Sequence, residues 1–181
     1  MKAELQIATV NTVAKEVPSD LMSVPFDDPT MISRFKTFLD TLFVHIPNLE
    51  LSALCLGNEA DIFWGTDSAK YLQYKTFMDE VSSYAKQLYH DIHGEDLKIG
   101  TTFTFHGLTA TETSLLCASV NVDLDIIATT YYPLEPDFTM KDPAAVFDDF
   151  NDLVAQYNDP QQPIYFTECG YSSSELCLSQ K

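Results

Sequence analysis

Two hydrophobic rhythms alternate along the chain. Short runs rich in β-branched and aromatic residues recur at Leu5–Thr12, Leu51–Gly57, Lys98–Phe105, Asp125–Thr130 and Pro163–Thr167. "LQIATV" and "DIIATT" are apolar almost throughout, the pattern of strands buried on both faces. Between these runs the period changes to three and four. "DDPTMISRFKTFLDTLF" offers Asp28 as N-cap and Pro29 at the first helical position, then Met31, Ile32, Phe35, Phe38, Leu39 and Leu42 along one stripe. "KDPAAVFDDFNDLVAQY" repeats the device with Asp142 and Pro143, followed by Val146, Phe147, Phe150, Leu153, Val154 and Tyr157. The longest helix is predicted over Ser68–Ile92, with Phe77, Met78, Val81, Tyr84, Ala85 and Leu88 facing inward. "TATETSLLCASVN" predicts a shorter one.

The predicted order is β-α-β-α-β-α-β-α-β, read as one domain over residues 1–181. Helical crossovers between successive strands imply a parallel sheet, either doubly wound or closed into a barrel. A doubly wound nucleotide-binding fold carries a Gly-rich loop after its first strand, and "IATVNTVAKEVP" contains no glycine. The strands end instead in polar or aromatic residues: Asn11, Asn58–Glu59, His106, Tyr131–Tyr132 and Glu168. A (β/α)8 barrel gathers its reactive groups at that C-terminal rim. The expected class is therefore α/β of the TIM-barrel type, incomplete, with about five parallel strands. A full barrel has eight strands and ~250 residues. Five strands alone leave two open edges and an exposed apolar interior. The expectation is a fragment of a longer chain, or a chain that covers its edges by self-association.

Charge narrows the partners. With 27 acidic against 10 basic residues the net charge is −17, and Arg34 is the single arginine. Such a surface repels phosphate backbones and anionic lipid, which argues against nucleic-acid and membrane roles. No run approaches the ~18 consecutive apolar residues of a spanning helix, and "MKAELQIATV" lacks the features of a signal peptide. Cys55 and Cys117 read as small buried hydrophobes. Cys169 and Cys177 lie in a Ser-rich loop, where an oxidising compartment would permit a local disulfide; the compartment stays open.

Glu59 ends an apolar run in "LSALCLGNE", and Glu168 ends another in "PIYFTE". In a barrel, strand-end glutamates three βα units apart face each other across the mouth. Hydrolysis of a glycosidic bond with retention needs such a pair, one carboxyl protonated and one ionised, about 5–5.5 Å apart.

"LGNEAD" after a strand, "YYPL" two strands later and "YFTECGY" on the strand after that resemble, in order and spacing, the clan A glycoside hydrolases. The resemblance spans nearly the whole chain. It implies that "LQIATV" is strand three, "LSALCLGNE" strand four and "PIYFTE" strand seven, with strands one, two and eight absent. Glu59 is then the general acid/base and Glu168 the nucleophile. Asn58 would bind the sugar 2-hydroxyl, and Tyr131 or Tyr132 would orient Glu168, with Tyr132 preferred because it precedes Pro133. The surroundings are similar to those of endo-β-1,4-galactanases and endo-β-1,3-glucanases. The implied activity is that of a retaining O-glycosyl hydrolase on a β-linked polysaccharide or oligosaccharide, with no metal or organic cofactor. Secretion fits such an enzyme, its signal peptide preceding the absent first strands. The family's strand-two arginine and strand-eight aromatic platform have no counterpart in the chain, and Arg34, on a predicted helix, cannot replace the former.

Other residues carry two readings each. His106 can touch sugar or serve as a structural rim residue, and Trp64 can stack on a sugar or pack on the next helix. His90 and His93 have a metal-chelating spacing but sit at a solvated helix end. Asn11 can line the mouth, and Asp61 can cap the following turn. The competing functional readings are a carbohydrate-binding or inactive barrel fragment, and a doubly wound binding domain with its glutamates on opposite sheet edges.

Overall fold

The computed structural model describes residues 2–135 and 139–170. Strand β1 (Ala3–Asn11) turns back into the short β2 (Ala14–Lys15), and α1 (Pro29–His45) leads to β3 (Leu51–Asn58). Next come α2 (Ala60–Trp64), α3 (Ser68–His93), β4 (Lys98–Gly100) and β5 (Thr102–Thr104). After them follow α4 (Phe105–Thr109), α5 (Ser114–Asn121), β6 (Ile127–Tyr131), α6 (Pro143–Gln156) and β7 (Ile164–Cys169). Both predicted aspartate caps form: Asp28 accepts from the Thr30 amide and Asp142 from the Ala144 amide, each ahead of a first-turn proline.

β1 pairs in parallel with β3, β3 with β4, β5 with β6, and β6 with β7. β4 and β5 replace the single run expected over Lys98–Phe105; the break falls at Thr101, whose hydroxyl donates sideways to the Leu56 carbonyl. Within each of the two hydrogen-bonded sheets, β2-β1-β3-β4 and β5-β6-β7, the parallel strands follow chain order, without the reversal that makes a ligand crevice in a doubly wound sheet. The doubly wound alternative falls on this point. Five parallel strands with intervening helices form an incomplete (β/α)8 barrel.

The two sheet faces differ. Leu51, Leu54 and Leu56 of β3 join the large core cluster with Leu39 and Phe43 of α1 and Phe77, Met78 and Val81 of α3. Ala53 and Cys55, on the opposite side of the same strand, form a separate small cluster with Ile126 and Ala128. That inner face also carries Glu4, which accepts from the Cys55 thiol, and Gln6, which reaches Thr102. Small and hydrogen-bonded side chains therefore line it, where a broad apolar surface was expected. The β1 edge is partly covered too: β2 pairs antiparallel with Val10 and Asn11, which satisfies backbone groups at its rim end.

Helix α6 is less embedded. Of its apolar stripe only Leu153 is buried, and Phe147 is 72% exposed. An apolar groove of about 490 Å³ lies on the helix side of β1, between Ile7, Val17 and Leu21 and the α1 residues Phe35 and Phe38. It contains neither glutamate. No helix among the described residues is long and apolar enough to cross a membrane.

Candidate active site at the strand C-termini

The end of β3 is held from beneath. Tyr74 of α3, fully buried, donates to the Leu56 carbonyl at 2.8 Å and shares a hydrogen bond with Thr9 at 3.2 Å. Burial pushes its phenol up to about 12, so it stays protonated. Gly57 follows with φ +83°, and a Cβ there would stand 2.7 Å from the Tyr74 hydroxyl. Only glycine suits both the backbone and the space. The strand thereby delivers Asn58 and Glu59 to the rim.

Two register irregularities serve the same end. Between the pairs Ile7↔Leu56 and Asn11↔Asn58, three residues of β1 face one of β3. Between Thr129↔Phe166 and Thr130↔Glu168, β7 gains one residue, Thr167. Such irregularities re-aim side chains where pairing ends. Asn11 consequently stands beside Asn58, and Glu168 beside Thr130.

Glu59 is half-buried and adopts a left-handed backbone, φ 50° and ψ 44°, at the start of α2. Its Oε2 accepts from the Thr12 hydroxyl at 2.8 Å and its Oε1 from the Thr130 hydroxyl at 2.9 Å. Glu168 is also half-buried, and its Oε2 accepts from the Tyr132 hydroxyl at 2.9 Å. Thr130 therefore touches one glutamate and stands in register with the other. Tyr132 feels both: its phenol is raised first by the hydrogen bond to Glu168, then by burial, then by the charges of Glu168 and Glu59. Both carboxylates belong to one rim and one electrostatic neighbourhood.

An amide chain runs alongside. Gln6 donates to the Asn58 Oδ1 at 3.0 Å, and the Asn58 Nδ2 donates to the Asn11 Oδ1 at 3.2 Å. This fixes the orientation of the Asn58 amide and leaves one of its two N–H groups for a ligand.

Several expectations need correction. Trp64 is 4% exposed, packed against Tyr71, Tyr74 and Phe103, so it belongs to the core and offers no stacking face. Tyr131 is 3% exposed and donates to Asp149 at 2.8 Å, away from Glu168; Tyr132, 47% exposed, occupies the rim. His106 does not end a strand, because pairing stops at Thr104; it lies exposed in the first turn of α4. Asp61 does more than serve its own turn. It is 4% exposed and accepts from the Thr104 amide at 2.8 Å and hydroxyl at 2.6 Å, joining α2 to the end of β5. Burial raises its carboxyl despite both donors. Arg34, on α1, pairs with Asp20 in the turn before that helix, and His90 lies beside Asp96 at a helix end. Cys177, and with it the suggested disulfide to Cys169, lies outside the described residues. Among the described residues no group of three or more His, Cys, Asp or Glu could hold a metal ion.

Thr12, Thr130 and Gln6 are the rim residues that sequence reasoning overlooks. Thr130 alone had an available signal, since it precedes the Tyr-Tyr pair at a strand end.

No family model matches the chain, and no curated protein matches it. Among solved structures it is similar to the Ignisphaera aggregans GH53 catalytic domain, with a TM-score of 0.68 and 15% identity. The similarity covers 96% of this chain and 47% of that one, so the chain spans about half the length of its structural neighbour. At this identity the likeness establishes the fold alone, an incomplete (β/α)8 barrel.

Proposed function

We propose that the chain carries the catalytic pair of a retaining glycoside hydrolase acting on a β-linked polysaccharide or oligosaccharide. One observation carries the reading: Glu59 and Glu168, 109 positions apart, meet through Thr130 and Tyr132 at a single rim. The GH53 description of the structural neighbour supports the same class. In the first step the Glu168 carboxylate attacks the anomeric carbon. The bond to the leaving oxygen breaks, and that oxygen takes its proton from Glu59. In the second step water attacks the glycosyl ester, Glu59 recovers a proton from that water, and Glu168 leaves as carboxylate. Tyr132 keeps a hydroxyl directed at Glu168 and so orients the nucleophile. Asn58 holds the sugar beside the cleaved bond. The chemistry calls for no metal or organic cofactor.

Activity on aryl β-glycosides, β-glucans and β-galactans, compared with Glu168→Gln, tests the proposal. Turnover confined to the wild type supports it, and equal turnover in both proteins removes the catalytic assignment.

A second reading, carbohydrate binding without turnover, draws on one observation. Glu168 has Tyr132 as its hydrogen-bond partner among the described residues, whereas Glu59 has two. Saturable binding of oligosaccharides with no hydrolysis by the wild type would favour it.

A further inference from the structure

We infer that Thr12 and Thr130 are positioning residues for Glu59, and that the strained backbone of Thr12 is retained for this contact. The inference rests on the glycosidase reading and adds two residues to its machinery. The hydroxyls arrive from opposite directions in the sheet, Thr12 from the turn after β1 and Thr130 from β6, and each binds a different carboxylate oxygen.

Strain supplies the first reason. Thr12 and Glu59 are the non-glycine described residues with positive φ, each at 50°, and they are bonded to each other. A β-branched residue in the left-handed region is an outlier, because its Cβ substituents crowd the backbone. Glycine or asparagine would fill that turn at lower cost. What threonine adds is a hydroxyl within 2.8 Å of Glu59. The Thr12 amide also donates to the Asn58 carbonyl at 3.0 Å, tying the strained turn to the end of β3.

Chemistry supplies the second. In double displacement the acid/base changes protonation state twice per cycle. An ammonium or guanidinium partner would hold it ionised, and a carbonyl partner would hold it protonated. A hydroxyl donates to a carboxylate and accepts from a carboxylic acid. Two hydroxyls therefore keep Glu59 in place in both states. The other titratable groups acting in this neighbourhood are Asp61 on α2, Tyr132 after β6 and Glu168 on β7.

The test compares Thr130→Val, Thr130→Ser and Thr12→Gly with wild type in the full chain. Substrates are phenyl and 2,4-dinitrophenyl glycosides of whichever sugar the wild type accepts. The phenyl leaving group needs proton donation and the dinitrophenyl group does not. Thr130→Val is expected to lower kcat on the phenyl substrate about ten- to hundredfold, the weight of a hydrogen bond to a charged group. On the dinitrophenyl substrate kcat/KM, which reads glycosylation alone, should change less than about threefold, any fall in kcat there being matched in KM because deglycosylation still needs Glu59 as base, and Thr130→Ser should restore activity. Thr12→Gly should show the same leaving-group pattern with a melting temperature at or above wild type, since glycine relieves the strain. Equal losses of kcat/KM on both substrates, unchanged activity, or no rescue by serine would overturn the inference. Trapping with a 2-deoxy-2-fluoroglycoside, read by mass spectrometry, separates the two levels. No adduct on wild-type Glu168 overturns the glycosidase reading itself; an adduct with leaving-group profiles unaltered in the threonine variants overturns this inference alone.

Discussion

Around Glu59 the chain supplies a buried floor, a glycine turn, two hydroxyls and an oriented amide chain; around Glu168 it supplies Tyr132. The floor is Tyr74, Thr9 and Thr101 gathered on the end of β3, whose residues Leu51 and Ala53–Gly57 are buried. Glu168 is the penultimate residue of β7, in which no residue is fully buried, and the neighbouring helix α6 buries Leu153 alone. A carboxyl that must change protonation state in place needs restraint on both oxygens. A nucleophile that must travel toward carbon needs a donor to keep it ionised and room to move. The uneven support fits the duties proposed for the two glutamates, with two hydroxyls on Glu59 and one on Glu168 among the described residues.

Substituting Glu168, the proposed nucleophile, should open the widest gap between the halves. Glu168→Gln is expected to lower kcat by about a thousandfold or more, roughly 4 kcal/mol of barrier at 1.36 kcal/mol per decade. The melting temperature should stay within about 2 °C of wild type, because β7 contributes little to the core. The same variant should bring the Tyr132 phenol back toward its ordinary range, readable by spectrophotometric titration, since the bond to Glu168 is the first cause of its rise.

The Glu59 half should break through stability instead. Asp61→Ala strands the Thr104 amide and hydroxyl and leaves a void in a buried site, at a cost of about 3 kcal/mol in denaturant unfolding. Gly107 reports on the same packing: a Cβ there would lie 2.2 Å from the Asp61 Oδ2, so Gly107→Ala should also destabilise. The pH dependence has a definite sign. The folded-state pKa of Asp61 is raised, so between its unfolded value near ~4 and that higher folded value the native state holds the extra proton. Stability is lost as pH rises through that window. Asp61→Asn should remove this part of the slope.

Tyr132→Phe should have a smaller effect, about tenfold in kcat or ~1.4 kcal/mol, with little change in melting temperature at this exposed position. The gentlest probe is hydrogen exchange. Amides of β3 should exchange at the global unfolding limit, and those of β7 should open locally at about 1 kcal/mol less or lower. Equal protection of the two strands would show that β7 is as firmly held as β3 and would erase the contrast.

Periodicity and strand-end polarity determined much of this protein by themselves. Aspartate-proline pairs at 28–29 and 142–143 started helices where local capping chemistry demands, because a cap involves only its own turn. Apolar runs marked the parallel strands, and their polar last residues marked the rim with Asn58, Glu59 and Glu168. Tertiary structure decided what each rim residue touches. Tyr131 and Tyr132 are adjacent and chemically alike, yet strand alternation buries one against Asp149 and sends the other to Glu168. Trp64 lies five residues from Glu59, and the single short helix between them turns its ring into the core. Thr12 could not be singled out among the chain's threonines, and the strand-end position of Thr130 does not name its partner, because Glu59 lies 47 and 71 positions away from them. Side-chain pattern along a chain records local geometry and burial. The hydrogen bonds that hold the Glu59 carboxylate cross between strands, and only the folded arrangement of those strands brings their two ends together.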